Sequence, residues 1–207
     1  MKIFITGASG FIGKNIHQRL KDKHDVQSPG SEELDLLDQD AVKKFVKQHR
    51  FDLVIHTATW DATTSSSKNS NTVLENNLKM FFHLENCNTH FQRMFSFGSG
   101  AEYGSEYFTP LMREESFGIH VPADQYGLSK YIINRAISNA TNIYNLRLFG
   151  VFGPHEDWKI RFISNAICKA LHGLDISIRQ DVCFDYLYID DLLDILELFI
   201  DREVLNC

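Results

Sequence analysis

The chain has 207 residues, 43% hydrophobic and 23% charged, with a formal net charge of −6 at pH 7. That length holds one domain with a full core; the acidic balance argues against a nucleic-acid surface, and no apolar stretch reaches the length of a membrane span. The four cysteines, Cys87, Cys168, Cys183 and Cys207, form no C-x-x-C pair and the nine histidines show no ligand spacing, so neither a disulfide framework nor a metal site is expected. With Met-Lys running straight into a strand, no signal peptide is expected and the cytoplasm is the expected compartment.

The first expected element is a strand at Lys2–Thr6. Behind it stands Thr6-Gly7-Ala8-Ser9-Gly10-Phe11-Ile12-Gly13, then a helix over Phe11–Lys21 with Phe11, Ile12, Ile16 and Leu20 at helical spacing. A strand, a glycine-rich turn and a helix N-terminus together bring backbone N–H groups against an anion. Gly7 permits the tight turn, Gly10 lets the backbone approach a pyrophosphate, and Gly13 lets the helix pack closely on the strand. The spacing is G-x-x-G-x-x-G, and it points to a dinucleotide site.

A second strand at Asp25–Ser28 runs into Ser28-Pro29-Gly30-Ser31. An NAD site places an acid there, on the ribose 2′-OH. Neither an acid nor an arginine stands here, and the serines can hydrogen-bond a 2′-phosphate, so the cofactor is NADP or NAD with a lean to NADP. Asp38 is expected to cap a helix over Gln39–His49. A strand at Leu53–Thr57 leads into Thr59–Asn71, a Ser-, Thr- and Asn-rich loop placed to border a substrate. A helix over Asn71–Thr89, a strand at Met94–Gly98, a helix over Asp124–Asn139 and a strand at Ile143–Leu148 follow. Asp157 is expected to cap the last helix, Trp158–His172. This alternation predicts a doubly wound α/β fold with a parallel sheet, whose ligands sit at the carboxyl ends of the strands.

Two further segments carry chemistry. Tyr126 and Lys130 form the one Tyr-x-x-x-Lys of the chain, one helical turn apart on one face. An ammonium beside a phenol favours phenolate and lowers the tyrosine pKa, making Tyr126 a proton donor or acceptor. Phe95-Ser96-Phe97-Gly98-Ser99-Gly100-Ala101-Glu102-Tyr103-Gly104 runs from an apolar strand into small residues, where Ser99 can bond a substrate oxygen.

Together these residues resemble the extended short-chain dehydrogenases/reductases, the family of nucleotide-sugar epimerases, dehydratases and reductases. The likeness runs over nearly the whole chain, through Thr6–Gly13, Glu33–Leu36, His56–Ala58, Asn76–Leu78, Gly98–Gly104, Tyr126–Lys130, Arg147–Pro154 and Asp185–Asp191. It implies a Rossmann-type domain over residues 1–153 and an incomplete C-terminal substrate lobe over 154–207, interleaved with the last Rossmann elements. It implies Ser99, Tyr126 and Lys130 as catalytic residues. Cofactor binding falls to Gly7, Ser9, Gly10, Phe11, Ile12, Gly13, Asp35, Leu36, Thr57 and Ala58 with Tyr126 and Lys130, and substrate contacts to Asn77, Ser99, Gly100 and Arg161. A nucleotide-sugar substrate and a homodimer are also implied, the latter through the helices at Asn71–Thr89 and Asp124–Asn139.

The departures narrow the reaction. Dehydratases of the family carry an acidic pair where Gly100 and Ala101 stand, so water elimination is disfavoured; Glu102 comes one position late and would point elsewhere on an extended segment. The closest look is to the fucose-synthase branch, whose epimerising Cys and His positions read Ala101 and Arg161, neither a proton shuttle. Reduction of a 4-keto sugar, or 4-epimerisation, is therefore expected. Phe184 replaces an arginine that binds substrate phosphate in the family, and family members run about a hundred residues further, so the chain is expected to be a fragment, a truncated product or a short form. A dinucleotide-binding protein without turnover and a reductase of non-sugar carbonyls are the alternatives.

Overall fold

The computed structural model describes residues 1–61, 68–178, 181 and 183–202. Alternating strands and helices build one parallel sheet: β1 (Lys2–Thr6), α1 (Phe11–Leu20), β2 (Asp25–Gln27), α2 (Gln39–His49), β3 (Phe51–His56), α3 (Val73–Glu85), β4 (Phe91–Ser99), α4 (Gln125–Ile137) and β5 (Ile143–Leu148). The strand order is β2-β1-β3-β4-β5, all neighbours parallel. The order reverses beside β1, so the exits of β1 and β3 face one another at the switch point.

Alternation along each strand feeds two cores. Phe4, Val54 and Met94 face α2, α3 and α4, where Val42, Val46, Phe81, Leu84, Ile133 and Ile137 are buried. Ile3, Ile5, Leu53, Ile55, Phe95 and Phe97 face the other way, onto Ile16 and Leu20 of α1 and onto a helix the sequence reading left out. That helix, α6 (Ile189–Asp201), buries Ile189, Leu192, Leu193, Leu196 and Ile200. Its i, i+3, i+4, i+7 spacing was present in the chain. Arg19 of α1 pairs with Asp194 and Glu197 of α6, and Lys23 with Glu197. Arg93 of β4 donates to the carbonyls of Phe199 and Ile200, satisfying the helix C-terminus.

Between β5 and α6 lie β6 (Gly150–Phe152), α5 (Phe162–Leu171) and β7 (Tyr186–Tyr188); β6 and β7 pair parallel as a separate two-stranded sheet. Neither strand was expected, because three residues leave no measurable period. Asp38 caps α2 through Ala41 N as expected. Asp157 does not cap α5: it accepts from Lys159 N and closes a preceding turn, and α5 begins four residues beyond the expected start. The chain turns there because the backbone N–H groups of Ile160 and Arg161 return to the Asp157 carbonyl. Short 3₁₀ turns at Ser70–Thr72 and Asn88–His90 take the ends of the long helix expected over Asn71–Thr89. No helix among the described residues is long and apolar enough to cross a membrane.

Candidate active site

The loops leaving β1, β2, β3, β4 and β5 surround a cleft of about 1550 Å³. Its floor is the glycine turn. Gly7 has φ +73°, and a Cβ there would lie 2.7 Å from the Ala58 backbone; one on Gly13 would lie 2.3 Å from the Gly7 carbonyl oxygen and 2.6 Å from Thr57 Oγ1. The exits of β1 and β3 therefore interlock, with Thr57 Oγ1 donating to the Thr6 carbonyl at 2.7 Å. A Cβ on Gly10 would meet only the Gly7 carbonyl oxygen, at 3.3 Å, and otherwise project into open space. Gly10 is also the N-cap of α1, with no side chain capping that end. Uncapped helix N–H groups beside an open glycine surface fit a pyrophosphate. Ser9, Phe11 and Ile12 line the same floor.

Asp35 and Leu36 line the same cleft, as do Ser28, Pro29, Gly30, Ser31 and His17 of α1. Thr57, Ala58, Ser99, Gly100, Tyr126, Lys130 and Arg161 all line that one space. Asn77 stands behind the wall: it is buried, accepts from Trp60 N at 2.8 Å and Thr59 Oγ1 at 3.2 Å, and braces the β3 exit. Thr59, Trp60, Asp61 and Lys68 of the Ser- and Thr-rich loop do border the cleft; its residues 62–67 lie outside the described residues.

Asp124 caps α4 through Gly127 N at 2.8 Å, aiming its first turn at β4. Ser99 ends β4 and lines the cleft together with Tyr126. Lys130, 7% exposed, donates to the Phe97 carbonyl at 2.8 Å, with its ammonium 5.8 Å from the centre of the Tyr126 ring. Burial lowers its pKa to about 8, against the opposing charge of Glu102. The expectation that Lys130 makes Tyr126 acidic is overturned. Burial pushes the phenol above its ordinary value; the Ser99 hydroxyl opposes that, and Asp61 and Glu102 add to it while Arg161 subtracts. Lys130 directs its charge at a carbonyl, so Tyr126 holds its proton at neutral pH.

Below the floor, His56 is buried and bonds Thr6 Oγ1 through Nδ1 at 2.8 Å. Burial, then the Lys130 charge, lowers its pKa to about 3. Glu102 is not on an extended segment. A 3₁₀ turn over Gly100–Tyr103 swings its carboxylate inwards, where it is 1% exposed. Sequence reasoning also missed the aromatic wall of Phe108, Phe149, Phe184 and Tyr186, whose ring centres lie 5.5 to 6.3 Å apart in successive pairs. Phe184 belongs to that wall. Glu156 faces the same end; burial raises its pKa against its bond from Ser164. The only sequence signal for this wall was the aromatic content after Phe149.

Among proteins similar to this chain is a GDP-6-deoxy-D-talose 4-dehydrogenase of Aggregatibacter actinomycetemcomitans, 26% identical over 220 residues that cover all of this chain and 72% of the relative. A GDP-mannoheptose C4 reductase of Campylobacter jejuni with NADP bound superimposes with a TM-score of 0.77 at 21% identity, over 96% of this chain and 72% of its own. A UDP-glucose 4-epimerase of Thermotoga maritima with UDP-glucose gives 0.80 at 20% identity, over 97% and 74%. These likenesses show the shared doubly wound fold. The chain spans 56 to 72% of the length of the curated relatives it matches along most of its own. The model of the NAD dependent epimerase/dehydratase family matches residues 3–206, essentially the whole chain. The cleft and its glycine floor thus have a familial origin: this chain belongs to the NAD dependent epimerase/dehydratase family.

Proposed function

We propose that this chain reduces the 4-keto group of a nucleotide-linked sugar, with NADPH preferred over NADH. The observation that carries the reading is the half-buried Tyr126 phenol, its pKa raised by burial, lining with Ser99 and Lys130 the cleft floored by the glycine turn. A carbonyl becoming an alcohol needs a proton at its oxygen, and a phenol of raised pKa supplies one. Relatives named for chemistry at C4 of GDP-linked sugars support the choice of carbon.

Bound NAD(P)H supplies the hydride. The N–H groups at the start of α1, with Gly7, Ser9, Gly10 and Gly13, would hold its pyrophosphate; Asp35 and Leu36 would hold the adenine end, and Thr57 and Ala58 the middle. Ser28 and Ser31 line the cleft, and their hydroxyls would hydrogen-bond a 2′-phosphate. Lys130 would hold the nicotinamide ribose. Ser99 donates to the carbonyl oxygen and stabilises the charge developing there, and Tyr126 gives that oxygen its proton. Arg161 and Gly100 border the sugar, and Asn77 acts by holding Trp60 in place.

Incubating NADPH or NADH with GDP-, UDP- and dTDP-linked 4-keto sugars and weighing the products tests this. A product two mass units heavier than one of the sugars is expected, with Tyr126→Phe at least about 100-fold slower. Turnover of small ketones alone would make the chain a general carbonyl reductase. Cofactor binding with no turnover would leave the non-catalytic alternative, and equal rates for Tyr126→Phe would remove the phenol from the reaction.

A further inference from the structure

Tyr126 and Lys130 stand one turn apart on α4, and the next residue of that column, Asn134, is also buried. Its Nδ2 donates to Glu102 Oε2 at 2.7 Å. The same carboxylate accepts from Asn145 Nδ2 at 3.1 and 3.2 Å and from Arg147 Nε at 3.0 Å, both on β5. Its Oε1 also accepts from the Ser99 backbone N–H at 3.0 Å, while Ser99 Oγ accepts from Ala101 N at 3.2 Å. Four donors from β4, α4 and β5 therefore converge on one carboxylate. The surroundings are shaped to it. A Cβ on Gly98 would lie 2.3 Å from Glu102 Oε1, and Asn145 spends its amide on the carboxylate while its own buried Oδ1 finds no partner among the described residues.

We infer that Glu102 is a positioning residue of the reaction: it clamps the Ser99 backbone, and so fixes where the Ser99 hydroxyl meets Tyr126 and the substrate oxygen. An ion pair with Arg147 alone could be replaced by packed apolar side chains with little loss. The bond to the Ser99 amide could not, because it sets the direction in which β4 ends. Ser99 sits as the N-cap of the 3₁₀ turn, with the Glu102 side chain returning to its amide, a closed arrangement that leaves the serine backbone one orientation. A displaced hydroxyl costs rate out of proportion to distance.

The inference rests on the reading of Ser99 and Tyr126 as the reacting pair, so its test has one arm outside turnover. Glu102→Gln, Ser99→Ala, their double variant and Gly98→Ala are compared with the parent on the 4-keto sugar that it reduces. Glu102→Gln is expected to lower kcat roughly 30-fold and leave the NADPH dissociation constant within about twofold. In the Ser99→Ala background the same change should cost less than about twofold, since its route of action is already gone. Gly98→Ala keeps the charge, displaces the carboxylate, and should lower kcat in the same way; it also serves where Glu102→Gln does not fold. Equal losses in both backgrounds, or an unchanged kcat, would overturn the inference. Amide hydrogen exchange of the variants is the second arm. Exchange at Ser99 should rise about tenfold or more while Ile3–Ile5 stays protected; no rise overturns the inference. If the parent reduces none of the sugars but Ser99 exchange rises, the reaction assigned above fails and the clamp stands.

Discussion

Gly13 shows how a missing side chain holds two strands together. Its Cβ would enter the space of the Gly7 carbonyl and Thr57 Oγ1. Gly13→Ala is therefore expected to cost about 1–3 kcal/mol in urea denaturation, and to weaken NADPH binding in titration calorimetry because the turn must open. His56 governs the acid side of stability. Its folded pKa of about 3 lies below the unfolded value near 6.5, so between them the unfolded chain binds the extra proton. The contribution is whole above about pH 6.5 and is lost as pH falls towards 3. Denaturation midpoints measured from pH 4 to 7 should rise with pH, and His56→Gln should flatten that slope. Lys130 acts at the other end. Its folded pKa of about 8 is below its unfolded value, so its charging penalty lifts as pH rises above 8. In the sequence, Tyr126 and Lys130 were legible as a pair because helical spacing is local; the direction of the tyrosine shift was not, because it depends on what buries the hydroxyl.

At the scale of elements, α6 closes one face of the sheet by burying five apolar side chains against α1 and three strands. Leu196, 1% exposed, and Leu198, 58% exposed, sit two residues apart on opposite sides of that helix. Leu196→Ala should cost about 2–5 kcal/mol and Leu198→Ala close to nothing, a contrast that urea denaturation reads directly. The ion pairs of Arg19 and Lys23 with α6 are partly exposed, so each adds little. By contrast α5 buries none of its ten residues and leaves Phe162, Ile167 and Leu171 exposed. A helix can thus carry an apolar face in its sequence without a partner for it in the described structure.

For the whole molecule, the cleft makes cofactor and fold one equilibrium. Saturating NADPH, at 100 times its dissociation constant, should add about 2.7 kcal/mol to stability. NADH at the same concentration should add less, through the serine hydroxyls at the end of β2. Thermal midpoints with each cofactor check both statements, and the reverse order would overturn the NADPH preference. The dimer that the resemblance implies, through α3 and α4, would show as a doubled mass in light scattering.

By itself the sequence determined the alternation that makes a parallel sheet, the glycine turn and the Tyr126–Lys130 step, because period and spacing act over a few residues; the strand order came from the structure. Only the tertiary structure decided the state of the phenol and the fate of Glu102. That carboxylate meets partners 32, 43 and 45 residues away. Whether an acid faces solvent or receives four donors depends on which strands and helices come to lie beside it, and no local pattern records that.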